Sequence, residues 1–277
     1  MDERVFLPVK TEGMKNSFLI ILFILTACST TRNLSSSGAD NSIADGKLFA
    51  SVFQQQSAEY KALCFQAYNM AKLQLDQYFQ EAPSKPLAII TDIDETVLDN
   101  SRYDIQQTLQ GKDYEAGSWL EWTARGEADT VPGAPSFLKY AASKGVTIFY
   151  ITNRNEEERP GTLNNLQRFN LPDADDQHLL MRKGISSKET RREEVMKKYT
   201  VVLLIGDNLA DFSSLYDKRS TEERNLVTRQ LANEFGHRFI IIPNPVYGDW
   251  ESALYQYMPN LSLAQKDSML RRAVKNP

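Results

Sequence analysis

The sequence predicts an α/β fold, a parallel sheet flanked by helices. Two apolar runs, 86–91 (PLAIIT) and 201–206 (VVLLIG), have the length and β-branched content of buried parallel strands. Further short apolar runs alternate with helical patterns, as in a parallel sheet covered on both faces. Each of the two runs leads into acidic residues, in 91–100 (TDIDETVLDN) and 203–212 (LLIGDNLADF). Ligands of open α/β sheets bind outside the carboxyl ends of the strands. Asp92, Asp94, Asp207 and Asp211 are therefore expected together at that edge.

Taken in order, the N-terminal segment stands apart from the fold. Lys15 precedes a ten-residue apolar run at 18–27 (FLIILFILTA), too short to span a bilayer and suited to a signal-peptide core. Leu25-Thr26-Ala27-Cys28 ends it and resembles a bacterial lipobox, in which the Cys is lipidated and becomes the first residue after cleavage. Met14-Lys15 begins a more conventional signal than Met1, so 1–13 read as an upstream extension. An ordinary secretory signal, or a buried helix with Cys28 incidental, is the competing reading. Residues 1–27 are thus expected to be a signal peptide, with Cys28 the lipidation site. The Ser/Asn/Gly-rich stretch 30–45 (TTRNLSSSGADNSIAD) follows as a flexible tether, and 46–277 as the folded domain. Cys64 is the only other cysteine; with Cys28 lipidated it has no partner and is expected as a small buried apolar residue.

From 46 to 79 the pattern is helical, with Leu48, Val52, Tyr60, Leu63, Tyr68, Leu73 and Leu75 as core-facing candidates. Pro83 and Pro86 stop the helix and launch the first strand. A helix at 135–143, ending near Gly145, leads to a second strand at 146–151 (VTIFYI). Then come a helix at 156–169, a short strand at 178–181, a charged helix at 187–198 and the strand at 201–205. A helix at 221–235, a last strand at 239–242 and closing helices at 250–257 and 262–274 complete the chain. Residues 102–131 break the rhythm; at about thirty residues this connection is long. It leaves the sheet at the edge where the carboxylates gather and is expected to form a small cap.

The composition is that of a globular protein, 277 residues with 42% apolar and 25% charged, enough for one sizeable domain or two small ones. A net charge of −4 leaves no basic footprint for a nucleic acid polymer, so an anionic substrate has to be held by a local positive site. Four crowded carboxylates repel unless a cation holds them. With all-oxygen ligands and no His or Cys nearby, that cation is expected to be Mg²⁺.

Asp92 and Asp94 alternate at a strand end and can face the same side. One can attack a phosphoryl group while the other protonates the leaving oxygen and then activates water. The competing reading is a pair that caps the next helix. Thr152-Asn153-Arg154 ends the second strand and offers a hydroxyl, an amide and backbone N–H groups to phosphate oxygens. Lys188 opens the helix of SSKETRR and can neutralise phosphate and nucleophile. Arg191, Arg192, Lys197 and Lys198 decorate the same helix, so a solvated basic face competes with that reading. Asp207 and Asp211 stand one helical turn apart and can share a face. His178 and His237 neighbour no motif, which argues against a histidine nucleophile and a His-rich zinc site.

DIDET, a strand-terminal Thr, a Lys and GDxxxD, in that order, resemble the haloacid dehalogenase (HAD) superfamily of phosphatases. The longer stretches DIDETVLDNSRY and LLIGDNLADF resemble its class C (DDDD) acid phosphatases, which include the bacterial outer-membrane lipoprotein 5′-nucleotidases of the lipoprotein e family. The resemblance runs from 46 to 257. Thr91 departs from it, standing where the family has a small apolar residue, and bears on packing.

The resemblance implies a HAD-like (Rossmannoid) sheet with a small helical cap, built from flanking helices and the insert after the first strand. It implies Asp92 as nucleophile and Asp94 as general acid/base. It implies Mg²⁺ on the Asp92 carboxylate, the Asp94 carbonyl and Asp207, with Asp211 acting through water. Thr152, Asn153 and Lys188 would bind the phosphate, with Arg154 nearby. Trp119 (SWLEW) and Tyr247 (NPVYGDWE) would sandwich a nucleobase; read from the residues alone they are equally well packing aromatics. Trp122 and Trp250 are read as structural.

The expected protein is a lipid-anchored, Mg²⁺-dependent acid phosphatase. It acts on phosphomonoesters, above all nucleoside 5′-monophosphates including the nicotinamide mononucleotide type, through an aspartyl-phosphate at mildly acidic pH. Its expected partners are that small-molecule ester and, through the lipid, a membrane; a dimer is compatible with the sequence. Ser29, where an Asp would retain a lipoprotein at the inner membrane, points to the outer membrane. The alternatives are a broad phosphatase or phosphotransferase without nucleotide preference, and a non-catalytic surface binding lipoprotein.

Overall fold

The structure, a computed structural model, describes residues 42–79 and 85–274. The expected signal segment, Cys28, most of the tether and Pro83 lie outside the described residues. A parallel five-stranded sheet carries the fold, in the order β5–β4–β1–β6–β7. Its strands are β1 (Leu87–Thr91), β4 (Thr147–Asn155), β5 (Leu179–Arg182), β6 (Thr200–Gly206) and β7 (Phe239–Ile241). All five expected strands are present. The chain lays β1, β4 and β5 toward one edge, then crosses to β6 and β7 on the other side, so its direction of travel switches beside β1. A crevice opens beyond the carboxyl ends of strands at such a point.

β1 is buried along its whole length, as its unbroken apolar run requires. One face packs Ile89, Ile148, Val202 and Leu203 with Tyr60, Cys64, Tyr68, Ala71 and Leu75 of helix α2 (Ala58–Tyr78). The other packs Ala88, Ile90, Ile151 and Leu204 with Val195 of α7 (Glu189–Lys198) and with Phe212 and Phe239. Cys64 is buried, as expected.

The helix expected over 46–79 is two helices, α1 (Ser42–Gln56) and α2. They divide at Ser57, whose hydroxyl accepts from the Tyr60 N–H at 3.0 Å and caps α2. Within α2 the buried line runs through Tyr60, Cys64, Tyr68, Ala71 and Leu75. Tyr60, Tyr68 and Leu75 keep their core positions, while Val52, Leu63 and Leu73 face solvent. α1 also begins inside the expected tether: Ile43 and Ala44 are buried, and the Ser42 hydroxyl donates to Asp267. Two buried apolar residues and a side-chain contact to Asp267 anchor a helix start that composition alone reads as linker.

The insert after β1 is ordered and helical, as a cap requires. It holds β2 (Leu98–Asp99), α3 (Ser101–Leu109), α4 (Ala116–Arg125) and β3 (Asp129–Thr130), with β2 and β3 antiparallel. α5 (Ala134–Ser143) returns the chain to β4. α4 lies against α6 (Arg159–Arg168), closely enough that a Cβ on Gly161 would sit 2.2 Å from the Thr123 carbonyl oxygen. α8 (Thr221–Gln230) precedes β7, and α9 (Asp249–Leu254) and α10 (Leu263–Ala273) close the chain. Both α3 and α10 pack on α1. Among the described residues no helix is long and apolar enough to cross a membrane.

Candidate active site

The site begins where β1 ends. The Asp92 N–H donates to the Ile205 carbonyl at 2.9 Å, carrying the β1–β6 ladder one residue beyond the strand. Thr91 is fully buried, and its hydroxyl donates to the Asp92 carbonyl at 2.8 Å, so this departure from the family pattern leaves no unsatisfied group. The chain then reverses: the N–H groups of Thr96, Val97 and Leu98 all point at the Ile93 carbonyl, at 3.3, 2.8 and 2.8 Å. Glu95 takes a left-handed backbone (φ 56°) within that turn.

β6 delivers the second pair. Asp211 ends a short 3₁₀ turn, Leu209–Asp211, rather than a turn of α-helix, and its Oδ2 accepts from the Asn208 N–H at 3.0 Å. Gly206 makes room for it, since a Cβ there would lie 2.3 Å from Asp211 Oδ2. One carboxylate oxygen each from Asp92, Asp207 and Asp211 fall within 4.8 Å of one another. Thr96 donates to Asp207 Oδ1 at 3.2 Å and Asn244 to Oδ2 at 2.8 Å, fixing that carboxylate. An all-oxygen, three-carboxylate cluster with oriented side chains fits a hard divalent cation.

Lys188 lies across this cluster. It is 5% exposed, and its ammonium pairs with Asp92 and, at 2.6 Å, with Asp211. The solvated-face reading of this lysine is thereby set aside. Burial works to lower its pKa, but the Asp211 and Asp92 charges prevail and hold it above the ordinary value. Burial pushes Asp92 well up against the pull of Lys188, with Asp211 and Asp207 adding to the rise. Asp207 is raised to about 7, by burial and then by the Asp211 charge.

Asp94 stands outside the three-carboxylate cluster. Arg154 holds it from the side, with Nη2 2.7 Å and Nε 3.1 Å from Oδ1, and Asn100 Nδ2 adds a bond at 2.9 Å. The Thr152 hydroxyl lies 3.4 Å from Asp94 Oδ2 and accepts from the Arg154 N–H at 3.1 Å. Thr152 is fully buried, while Asn153 and Arg154 line the cavity. These three residues lie inside β4, not past its end. The strand continues to Asn155 through a register irregularity between Ile151 and Asn155, which an apolar-run reading ends too soon.

A cavity of about 530 Å³ opens over the carboxylates and includes Trp119 and Tyr247 in its lining. Trp119 Nε1 donates to Glu158 at 2.7 Å, and its ring meets Tyr103 edge-on at 5.0 Å. The Tyr247 hydroxyl donates to Glu95 Oε1 at 3.3 Å. Trp122 is buried and donates to Asn100, as a structural residue should; Trp250 is partly exposed and donates to the Tyr247 carbonyl.

Several functional neighbours escaped the sequence. Arg192 is 1% exposed and donates to the carbonyls of Ala210 and Asp211 at 2.9 and 2.8 Å, pinning the acidic turn. Arg191 donates to the Thr152 carbonyl and to Asn153 Oδ1, tying β4 to α7. Their spacing of three and four from Lys188 was the available signal, because such residues share a helix face. Glu95 and Asn244 lay within DIDET and NPVYGDWE without a role of their own, and Lys47, Asp104, Asp113 and Lys266 of the cavity's outer wall had no local signature.

Residues 28–250 match the model of the HAD superfamily, subfamily IIIB (acid phosphatase). The chain is similar to the solved class C acid phosphatase from Bacillus anthracis, with 41% identity and a TM-score of 0.82 over 84% of this chain and 98% of that one. It is similar also to the class C acid phosphatase from Bacillus anthracis with tungstate bound, with 40% identity and a TM-score of 0.81 over the same shares. Parallel sheet, strand-end carboxylates and sequence agree: the chain belongs to HAD subfamily IIIB, the class C acid phosphatases, and is a phosphomonoesterase.

Proposed function

We propose that the protein is a lipid-anchored, Mg²⁺-dependent 5′-nucleotidase, releasing phosphate from nucleoside 5′-monophosphates through an aspartyl-phosphate on Asp92. The observation that carries the reading is the separation of two neighbouring carboxylates. Asp92 lies with Lys188 inside the acidic cluster, while Asp94 lies with Arg154 outside it. One is oriented for attack and the other is free of the cluster for proton transfer.

Asp92 attacks phosphorus, and the bond to the leaving oxygen breaks as Asp94 gives that oxygen a proton. Asp94 then takes a proton from water, which attacks the acyl phosphate; phosphate leaves and the Asp92 carboxylate is restored. Lys188, Asn153 and Arg154 bind and orient the phosphoryl group, and Thr152 positions Asp94 and the Arg154 amide. Mg²⁺, held by the carboxylates of Asp92 and Asp207 and the Asp94 carbonyl, with Asp211 acting through water, would supply charge neutralisation for the phosphoryl oxygens. The donor set supports it, being all oxygen. Tungstate in a relative, an oxyanion like phosphate, supports an oxyanion seat here. Trp119 and Tyr247, both lining the cavity, support a flat leaving group, held by stacking that tolerates different bases.

The test is phosphate release by the full-length protein in detergent, from nucleoside 5′-monophosphates, ribose 5-phosphate and phenyl phosphate, with Mg²⁺ and with EDTA. Release lost in EDTA and strongest on nucleotides supports the reading; equal rates on all esters remove the nucleotide preference. Anchoring through Cys28 at the outer membrane is part of the proposal. Labelling with radioactive palmitate that persists in Cys28→Ala would remove it.

A further inference from the structure

The outer wall of the cavity carries more acid than base. Lys47, from α1, pairs with Asp113 at 2.7 Å and Glu251 at 3.2 Å. Lys266, from α10, pairs with Asp113, whose Oδ1 also accepts the Tyr114 N–H at 2.8 Å. Asp249 faces Arg224 at 3.8 Å. Both ammonium groups of the wall are thus committed to Asp113 and Glu251. Asp104, in the first turn of α3, lines the same cavity, and its Oδ2 is buried with no hydrogen-bond partner among the described residues.

An unpaired buried acceptor costs about 1–3 kcal/mol, more when charged, and is retained where something else completes it. Burial pushes Asp104 up to about 7, with Lys47 opposing and the Asp99 and Asp113 charges adding to the rise. The group is thus short of donors even beside a lysine. A ligand that fills the cavity from the phosphoryl end brings its leaving group toward this wall.

We infer that Asp104 binds substrate: it accepts a hydrogen bond from a hydroxyl or amine on the leaving group of the phosphate ester. Ionised Asp104 is satisfied by an O–H or N–H donor. This deepens the reading of the cavity as the seat of a phosphomonoester, and it rests on that reading.

The experiment compares ribose 5-phosphate, which offers hydroxyl donors, with phenyl phosphate, which offers none. The ratio of their kcat/KM values is measured for the full-length protein and for Asp104→Ala, which removes the acceptor, in detergent. The ratio is insensitive to the folded fraction of the variant, because both esters report on the same active molecules. Loss of a hydrogen bond to a charged group lowers it about tenfold or more. A ratio that falls less than about threefold, or rises, overturns the inference. If the unsubstituted protein prefers no nucleotide, the nucleotidase reading fails while this ratio still decides the role of Asp104. If it turns over neither ester, the phosphoryl-transfer reading fails first, and the inference with it.

Discussion

Arg154 and Asp94, 60 residues apart, meet in a forked contact, with Nη2 2.7 Å and Nε 3.1 Å from Asp94 Oδ1. Asp92, only two residues earlier, turns instead to Lys188 and to the carboxylates of Asp207 and Asp211. A strand that continues straight would present both carboxylates to one environment. The tight turn onto the Ile93 carbonyl separates them.

That fork sets the consequence of removing Arg154. The guanidinium is buried, and Asp94 has little exposure, so Arg154→Ala strands a carboxylate without its cation. The loss is on the order of 3 kcal/mol. Urea denaturation should show it as a lower midpoint with unchanged slope, and Arg154→Lys should recover part of it, since it restores charge without the fork.

Gly206 has a different task. Any Cβ there collides with Asp211, at 2.3 Å from Oδ2 and 2.5 Å from Cβ. Gly206→Ala should displace Asp211 and lower divalent-cation affinity by roughly 10- to 100-fold, the scale found when a supporting contact of a metal ligand is lost. Calorimetric titration with Mg²⁺ measures it directly; an affinity equal to that of the unsubstituted protein contradicts the packing argument.

The stacking roles of Trp119 and Tyr247 are separable from chemistry. Each ring removed should raise KM for a nucleoside 5′-monophosphate by about tenfold, with a much smaller change for ribose 5-phosphate. Trp119→Phe keeps a ring and loses the 2.7 Å bond to Glu158, so it should fall between the two. Equal changes on both esters would mean that the rings merely hold the cap in place.

Much of this site was legible because it follows from strand ends. An apolar run that stops at Asp92, another that stops at Asp207, and a Lys that opens a helix are local facts, and the parallel sheet converts them into one locus. The stripe Tyr60, Tyr68 and Leu75 was legible from its helical spacing; Leu63 and Leu73 misled because they lie on α2 beside the buried line Tyr60, Cys64, Tyr68, Ala71 and Leu75, and Val52 because it belongs to the separate helix α1. Arg192 was hidden by its neighbours: four basic residues on one helix look solvated until the fold shows one of them buried against the Asp211 turn. The outer wall could not be read at all. Lys47 and Lys266 lie at opposite ends of the chain, and only the packing of α10 on α1 brings both to Asp113.

Asp113 gives a pH dependence of stability. Burial pushes it up, but Lys47 and Lys266 prevail and hold it down at about 2, below the roughly 3.9 of an unfolded chain. A depressed carboxylate contributes stability that is present above its unfolded value and lost as pH falls toward its folded one. The difference in Tm between the protein and Asp113→Asn should therefore be constant from about pH 5 to 7 and shrink between about pH 4 and 2. A difference that grows on acidification contradicts the pairing.

The most direct test of the account is phosphate release by Asp92→Asn at saturating Mg²⁺, beside the unsubstituted protein. The substitution removes the attacking oxygen's charge while leaving Lys188 paired with Asp211 at 2.6 Å, so the fold should be kept. The account predicts a loss of turnover on the order of a thousandfold or more, the scale seen when a nucleophile is deleted. Turnover within about tenfold of the unsubstituted protein would contradict an aspartyl-phosphate at Asp92.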